Sequence, residues 1–118
     1  MMKHTLLTLF MFLSLLCHGQ SYKFFTTDRE LSSSLINKIY QDRNGMIWIA
    51  TEDGLNRYDG AKFVIYKHDP ENEHSLCHNY VRALYEDSKG RLFVGTYNGI
   101  QLYDPATDSF STQAQWED

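Results

Sequence analysis

Apolar residues in this chain fall into short runs of four or five, each closed by a turn rich in Asp, Asn or Gly. The runs at residues 36–40, 46–50, 55–58 and 63–66 are rich in Ile, Val, Tyr, Trp and Phe, the side chains that suit a pleated strand. Asp42-Arg43-Asn44-Gly45 has the Asp and Gly placement of a type I turn. Glu52-Asp53-Gly54 marks a second turn, and Asp59-Gly60 is a strong hairpin signal. Nothing sustains a helical period after residue 20. In the second run Ile47 and Ile49 point one way and Met46, Trp48 and Ala50 the other, so both faces are apolar. A sheet with one wet face would alternate apolar and polar positions. This pattern predicts a sheet covered on both sides.

The same pattern returns 45 residues later without a gap: residues 39–59 align with residues 84–104. Tyr40/Tyr85, Asp42/Asp87, Gly45/Gly90, Thr51/Thr96, Gly54/Gly99, Tyr58/Tyr103 and Asp59/Asp104 are identical, and Trp48/Phe93 and Leu55/Ile100 keep their type. Upstream, Leu31 and Leu76 match at the same shift. The first strand of the second copy is expected at residues 81–85, and its last turn is longer, Asp104 to Asp108 ahead of Phe110. Four strands per repeat of 40 to 50 residues is the signature of a propeller blade. The expected class is all-β: two four-stranded propeller-type blades forming an incomplete β-propeller, with blade-like repeats at about 31–66 and 76–112. An ordinary β-sandwich would have to explain two in-phase copies separately. Trp48 and Phe93, mid-strand at equivalent places, are expected in the core rather than stacked on a ligand. Small Ala50 and Gly95 are expected where blades converge.

The first residues stand apart. Lys3 precedes an apolar run at residues 6–16 that only Thr8 and Ser14 interrupt. The run is shorter than the roughly 20 residues that span a bilayer, and it fits the central part of a secretory signal peptide. Residues 1–19 are therefore read as a signal peptide cut after Gly19, with a partial propeller over 20–118 and a periplasmic or secreted destination. An uncleaved anchor or a lipoprotein using Cys17 fits less well, because Leu15 and Leu16 are too large for lipoprotein processing. No membrane segment is expected in the mature chain. The net charge of −4 gives no reason to expect a nucleic-acid partner. With Cys17 in the leader, Cys77 alone makes no internal disulfide and reads as a small apolar filler.

Candidate chemistry is sparse. His68, His74 and His78 cluster with Cys77 in a loop, and a His pair four apart suits zinc only on a helix, so no metal is expected. Asp42, Asp59, Asp87 and Asp104 recur at turn positions, where capping backbone N–H groups explains them better than paired catalysis. Neither a phosphate-cradling glycine loop nor a nucleophile elbow is visible. No catalytic residue, no cofactor and no enzyme activity are expected. Ligand recognition is placed at the turn after the second strand, where the copies differ: Glu52 and Asp53 in the first, Tyr97 and Asn98 in the second. The long 67–74 loop is a second candidate.

The segment Asp42-x-x-Gly45-x-Ile47-Trp48-Ile49-Ala50-Thr51-x-x-Gly54-Leu55-x-x-Tyr58-Asp59 closely resembles the two-component regulator propeller repeat. The copy ending Phe93-Val94-Gly95-Thr96-x-x-Gly99-Ile100-x-x-Tyr103-Asp104 resembles it equally, and the likeness covers nearly all of 22–112. The resemblance implies the extracytoplasmic sensor region of a hybrid two-component histidine kinase, in which many repeats build propellers and many members detect oligosaccharides. A kinase core and membrane helix belong to that family and are absent from these residues. The expected function is thus a fragment of a periplasmic, glycan-sensing propeller. The alternatives are a small secreted interaction module or the remnant of a secreted propeller enzyme. Two blades leave apolar faces that need neighbours, so further blades or self-association are expected, with residues 22–25 read as a lone outer strand.

Overall fold

The computed structural model describes residues 31–113. The signal-peptide reading of 1–19, its cut after Gly19 and the lone strand at 22–25 lie outside the described residues. Eight strands follow one another: β1 (Ile36–Gln41), β2 (Ile47–Thr51), β3 (Gly54–Tyr58), β4 (Phe63–Tyr66), β5 (Val81–Glu86), β6 (Leu92–Thr96), β7 (Gly99–Asp104) and β8 (Ser109–Thr112). They form two antiparallel four-stranded sheets in sequential order, β1 to β4 and β5 to β8. The fold is all-β and consists of two propeller-type blades. Among the described residues helical conformation appears only at Gln113. Among the described residues no helix is long and apolar enough to cross a membrane.

The register repeats with the sequence. Ile36 pairs with Thr51 and Val81 with Thr96, and each first strand carries a bulge one residue later. The turn aspartates explain this fidelity. Asp42 Oδ1 accepts from the backbone N–H of Asn44 and Met46 at 2.9 and 3.0 Å. Asp87 Oδ1 accepts from Lys89 and Arg91 at 3.0 and 2.9 Å. Asp59 and Asp104 serve the third turn of each blade in the same way, towards Ala61 and Lys62 in one and Ala106 in the other. Each carboxylate thus takes donors that a tight turn would otherwise leave unpaired.

The core lies between the blades. Trp48, Ala50 and Leu55 of the first sheet pack with Leu76, Leu84, Val94, Tyr103 and Phe110, and Tyr40 and Tyr66 close the rim. Trp48 meets Tyr103 edge-on at 4.8 Å between centroids and donates its indole N–H to Asp42 Oδ2 at 2.8 Å. Its equivalent Phe93 is only half-buried. The two positions lie on the same face of their sheets, but only the first blade has a neighbour on that side among the described residues. The convergence role expected for Gly95 is also revised. A Cβ there would meet the Cβ of Ala83 at 3.3 Å, and Ala83 is its partner on the adjacent strand of the same blade. The glycine relieves crowding within the sheet, whereas Ala50 is fully buried in the core between blades.

A short strap precedes each blade, and two of its contacts recur. Ser32 N–H donates to Asn56 Oδ1 at 3.1 Å, and Cys77 N–H to Gln101 Oε1 at 2.9 Å. Ser32 Oγ lies 3.1 Å from Thr51 Oγ1, and Cys77 Sγ lies 3.1 Å from Thr96 Oγ1. Asn56 and Gln101 are buried, and these bonds are what make their burial tolerable. Among the described residues no buried side-chain nitrogen or oxygen lacks a partner.

Candidate functional site

One end of both sheets carries the β2–β3 and β6–β7 turns, at which Glu52 and Asp53 of one copy are replaced by Tyr97 and Asn98 in the other. Pairing of Thr51 with Ile36 and with Gly54 brings the β2–β3 turn beside the entry to β1. Glu52 N–H donates to Leu35 O at 3.1 Å, and at the equivalent place Tyr97 N–H donates to Tyr80 O at 3.2 Å. Thr51 and Thr96 hold the two turns alike, each hydroxyl donating to a glycine carbonyl and accepting the N–H of Asp53 or Asn98.

Tyr80 joins the two turns across the blade boundary. Its ring stacks on Tyr97 at 4.1 Å with 10° between planes, and its hydroxyl lies 3.1 Å from Glu52 Oε1. The Tyr97 hydroxyl beside it, and then Glu52, hold the Tyr80 phenol above its ordinary range. The Arg82 guanidinium carbon lies 5.0 Å from the Tyr97 ring centroid, and the His78 ring meets Tyr97 edge-on at 5.7 Å. His78 Nδ1 accepts the Tyr80 N–H at 2.9 Å, which turns the imidazole against this stack.

The four residues singled out by sequence are therefore not equivalent. Glu52 and Tyr97 come together through Tyr80. Asp53 is turned aside, its carboxylate 2.9 Å from Lys67 Nζ. Asn98 spends its side-chain amide on Cys77 O at 3.2 Å. Tyr80 and Arg82 were missed. The signal was present, since Leu35 and Asn37 occupy their places in the first copy, but they stand at a strand entry rather than at the turn.

Other titratable groups have structural duties. His68 Nδ1 lies 2.6 Å from Leu76 O, and His74 sits 3.5 Å from its neighbour Glu73. The 67–74 loop is tied through Ser75, whose Oγ accepts the Asp69 N–H at 2.9 Å. Among the described residues no group of three His, Cys, Asp or Glu side chains could hold a metal ion. At the far side of the blade boundary Asp108 receives hydrogen bonds from Tyr66 and, at 2.7 Å, from Tyr103. Arg57 completes the cluster, 2.6 Å from the Tyr103 hydroxyl and 3.4 Å from Asp108. Burial raises the Tyr66 phenol well above its usual value, and it raises that of Tyr103 too. Burial also pushes the Asp108 carboxyl upward, but the two hydroxyls and the Arg57 charge outweigh it and leave it below the usual range.

The Tyr80 cluster has the chemistry of a contact surface. Stacked phenol rings offer an apolar plane with polar tips, and a carboxylate and a guanidinium flank it. Residues 30–53 and 75–98, one stretch at the head of each blade, match the two component regulator propeller family. Both blades resemble two-component regulator propeller repeats. Other likenesses accompany that match. Over 72 residues the chain is 41% identical to Histidine kinase P4 of Formosa agariphila, an alignment covering 58% of this chain and 5% of the kinase. The fold is similar to the extracellular domain of a protein described as a hybrid two component system from B. thetaiotaomicron, with 30% identity and a TM-score of 0.66. That match covers 76% of this chain and 13% of that domain. A second extracellular domain from the same organism shares the fold at 24% identity and a TM-score of 0.63, over 78% of this chain and 13% of its own length. The chain thus spans a small part of each relative.

Proposed function

We propose that these two regulator-propeller blades belong to the ligand-sensing ring of an extracytoplasmic two-component sensor and act by binding, not by catalysis. The ligand end is the one carrying the β2–β3 and β6–β7 turns, and the ligand class is an oligosaccharide. The observation that carries this reading is Tyr80, stacked on Tyr97 in its own blade and hydrogen-bonded to Glu52 in the preceding one. Aromatic planes complement the C–H faces of sugar rings, and the flanking carboxylate and guanidinium suit hydroxyl groups. Because Tyr80 touches both blades, a ligand that reorients it acts on the blade boundary, which is the kind of differential contact a sensor needs. Location outside the cytoplasm is supported by the extracellular domains that share the fold, and coupling to a histidine kinase by the sequence relative.

The test is an oligosaccharide panel screened against the purified chain by calorimetry. Tyr97→Ala is expected to lower the affinity of any binding sugar at least tenfold, while Asp59→Asn, at the opposite end of the sheet, leaves it unchanged. Sugar binding that survives Tyr97→Ala would place the ligand elsewhere.

A further inference from the structure

The entry to each blade is closed by the same pair of hydrogen bonds. In blade one Leu35 N–H donates to Ser33 Oγ at 3.1 Å, and Leu35 O accepts the Glu52 N–H at 3.1 Å. In blade two Tyr80 N–H donates to His78 Nδ1 at 2.9 Å, and Tyr80 O accepts the Tyr97 N–H at 3.2 Å. Ser33 and His78, Leu35 and Tyr80, Glu52 and Tyr97 are all related by the one shift along the sequence. The cap is thus a feature of the repeat, and only its chemistry changes. Blade one uses a hydroxyl oxygen and blade two an imidazole nitrogen.

The exchange matters because of what each cap holds. Leu35 is 58% exposed. Tyr80 instead lays its ring on Tyr97 and brings its hydroxyl to Glu52. With the N–H and the carbonyl of Tyr80 both fixed, the backbone aims that ring. Asn79, inside the capped turn, accepts the Gly54 N–H on its carbonyl at 2.6 Å and the His68 N–H on Oδ1 at 2.7 Å. The cap therefore stands where blade two, the linker and the β2–β3 turn of blade one meet.

A hydroxyl oxygen accepts at any pH. An imidazole nitrogen accepts only while it carries no proton, because imidazolium has an N–H on both nitrogens. Histidine ordinarily gains that charge between about pH 5 and pH 8. Tyr97 faces the His78 ring edge-on, with the Arg82 guanidinium carbon 5.0 Å from the Tyr97 centroid. Glu52 stands beyond the Tyr80 hydroxyl, and Asp53 beside it is paired with Lys67. On the linker side His68 turns Nδ1 to Leu76 O at 2.6 Å. Arg82 repels an added positive charge and Glu52 attracts one, but neither returns an acceptor to the Tyr80 N–H.

We infer that His78 is the positioning residue of the Tyr80–Tyr97 stack, holding Tyr80 in place while neutral and releasing it on taking a proton. As a control on ligand binding this rests on the proposed role of the Tyr80 cluster; as a control on the stack it does not.

Nuclear magnetic resonance of the full chain, at about pH 8 and about pH 5 to bracket the usual histidine range, tests it. Proton contacts between the Tyr80 and Tyr97 rings are expected at the higher pH and should weaken at the lower. The exchange protection of the Tyr80 N–H, corrected for the intrinsic effect of pH, should fall about fivefold, the size of one ordinary hydrogen bond. That fall should track the titration of the His78 ring, while the Leu35 N–H, capped by Ser33, stays unchanged. His78→Ser copies the cap of blade one and should keep both protection and stack at either pH. His78→Ala removes the acceptor and should show the acid behaviour at both. Tyr80 protection that ignores the His78 titration, or an acid loss that persists in His78→Ser, overturns the inference. So does a stack that His78→Ala leaves whole. None of these readouts needs a sugar, so failure of the oligosaccharide panel and failure of the His78 cap are told apart.

Discussion

The Arg57 guanidinium of one blade donates a 2.6 Å hydrogen bond to the Tyr103 hydroxyl of the next, and both converge on Asp108. This cluster fastens the outer part of the blade boundary, while the apolar core fills its centre. The same Arg57 carbon lies 5.9 Å from the ring centroids of Trp48 and Tyr66, so charge and aromatic packing are coupled there.

Acid should loosen this cluster. The Asp108 carboxyl titrates below its ordinary value in the folded chain, against about 3.9 when unfolded. Its stabilising contribution is therefore complete above that unfolded value and disappears as pH falls through the folded one. Asp108 is partly exposed, so the contribution is about 1 kcal/mol or less. Asp108→Asn is a suitable probe because the backbone there has φ of 52°, which Asn tolerates. Urea midpoints measured from neutral to acid pH should fall less steeply for the variant than for the wild type.

The half-burial of Phe93 separates it from Trp48. Trp48→Ala should cost roughly 3–5 kcal/mol, the range for emptying an aromatic site in a packed core. Phe93→Ala, on a face with less around it, should cost less than half of that. Chemical denaturation of both variants checks the ranking. Equal losses would mean that something covers Phe93 as fully as blade two covers Trp48.

The two turn glycines should also differ. Gly54 has φ of +124° and Gly99 of +120°, so either alanine is strained. At Gly54 a Cβ would additionally meet the Tyr66 carbonyl oxygen at 2.9 Å, whereas at Gly99 nothing lies within 4 Å. Gly54→Ala should therefore lower the melting temperature more than Gly99→Ala, with the strain alone costing about 1–3 kcal/mol in each.

Much of this architecture was legible in the residues because its causes are local. Asp42 and Asp87 cap turns within four residues of themselves, so the strands they separate could be placed to within about a residue. Apolar side chains on both faces of β2 announced a covered sheet. What escaped notice depended on contacts far apart in sequence. Tyr80 acquires its role from Glu52, 28 positions earlier, and no spacing rule links them. Gly95 looked like a point of close approach between blades, but the crowding neighbour is Ala83 in the next strand. Trp48 and Phe93 are alike in the chain and differ only through what stands opposite them.

The strap ahead of each blade has one more consequence. Ser32 and Cys77 occupy the same slot against a threonine hydroxyl, so a thiol stands in blade two where blade one has an oxygen. That sulfhydryl is half-buried, and Cys77 finds its partners Thr96 and Gln101 in the same blade. Alkylation should quicken as the strap lifts, so labelling kinetics follow the hold of the strap on blade two.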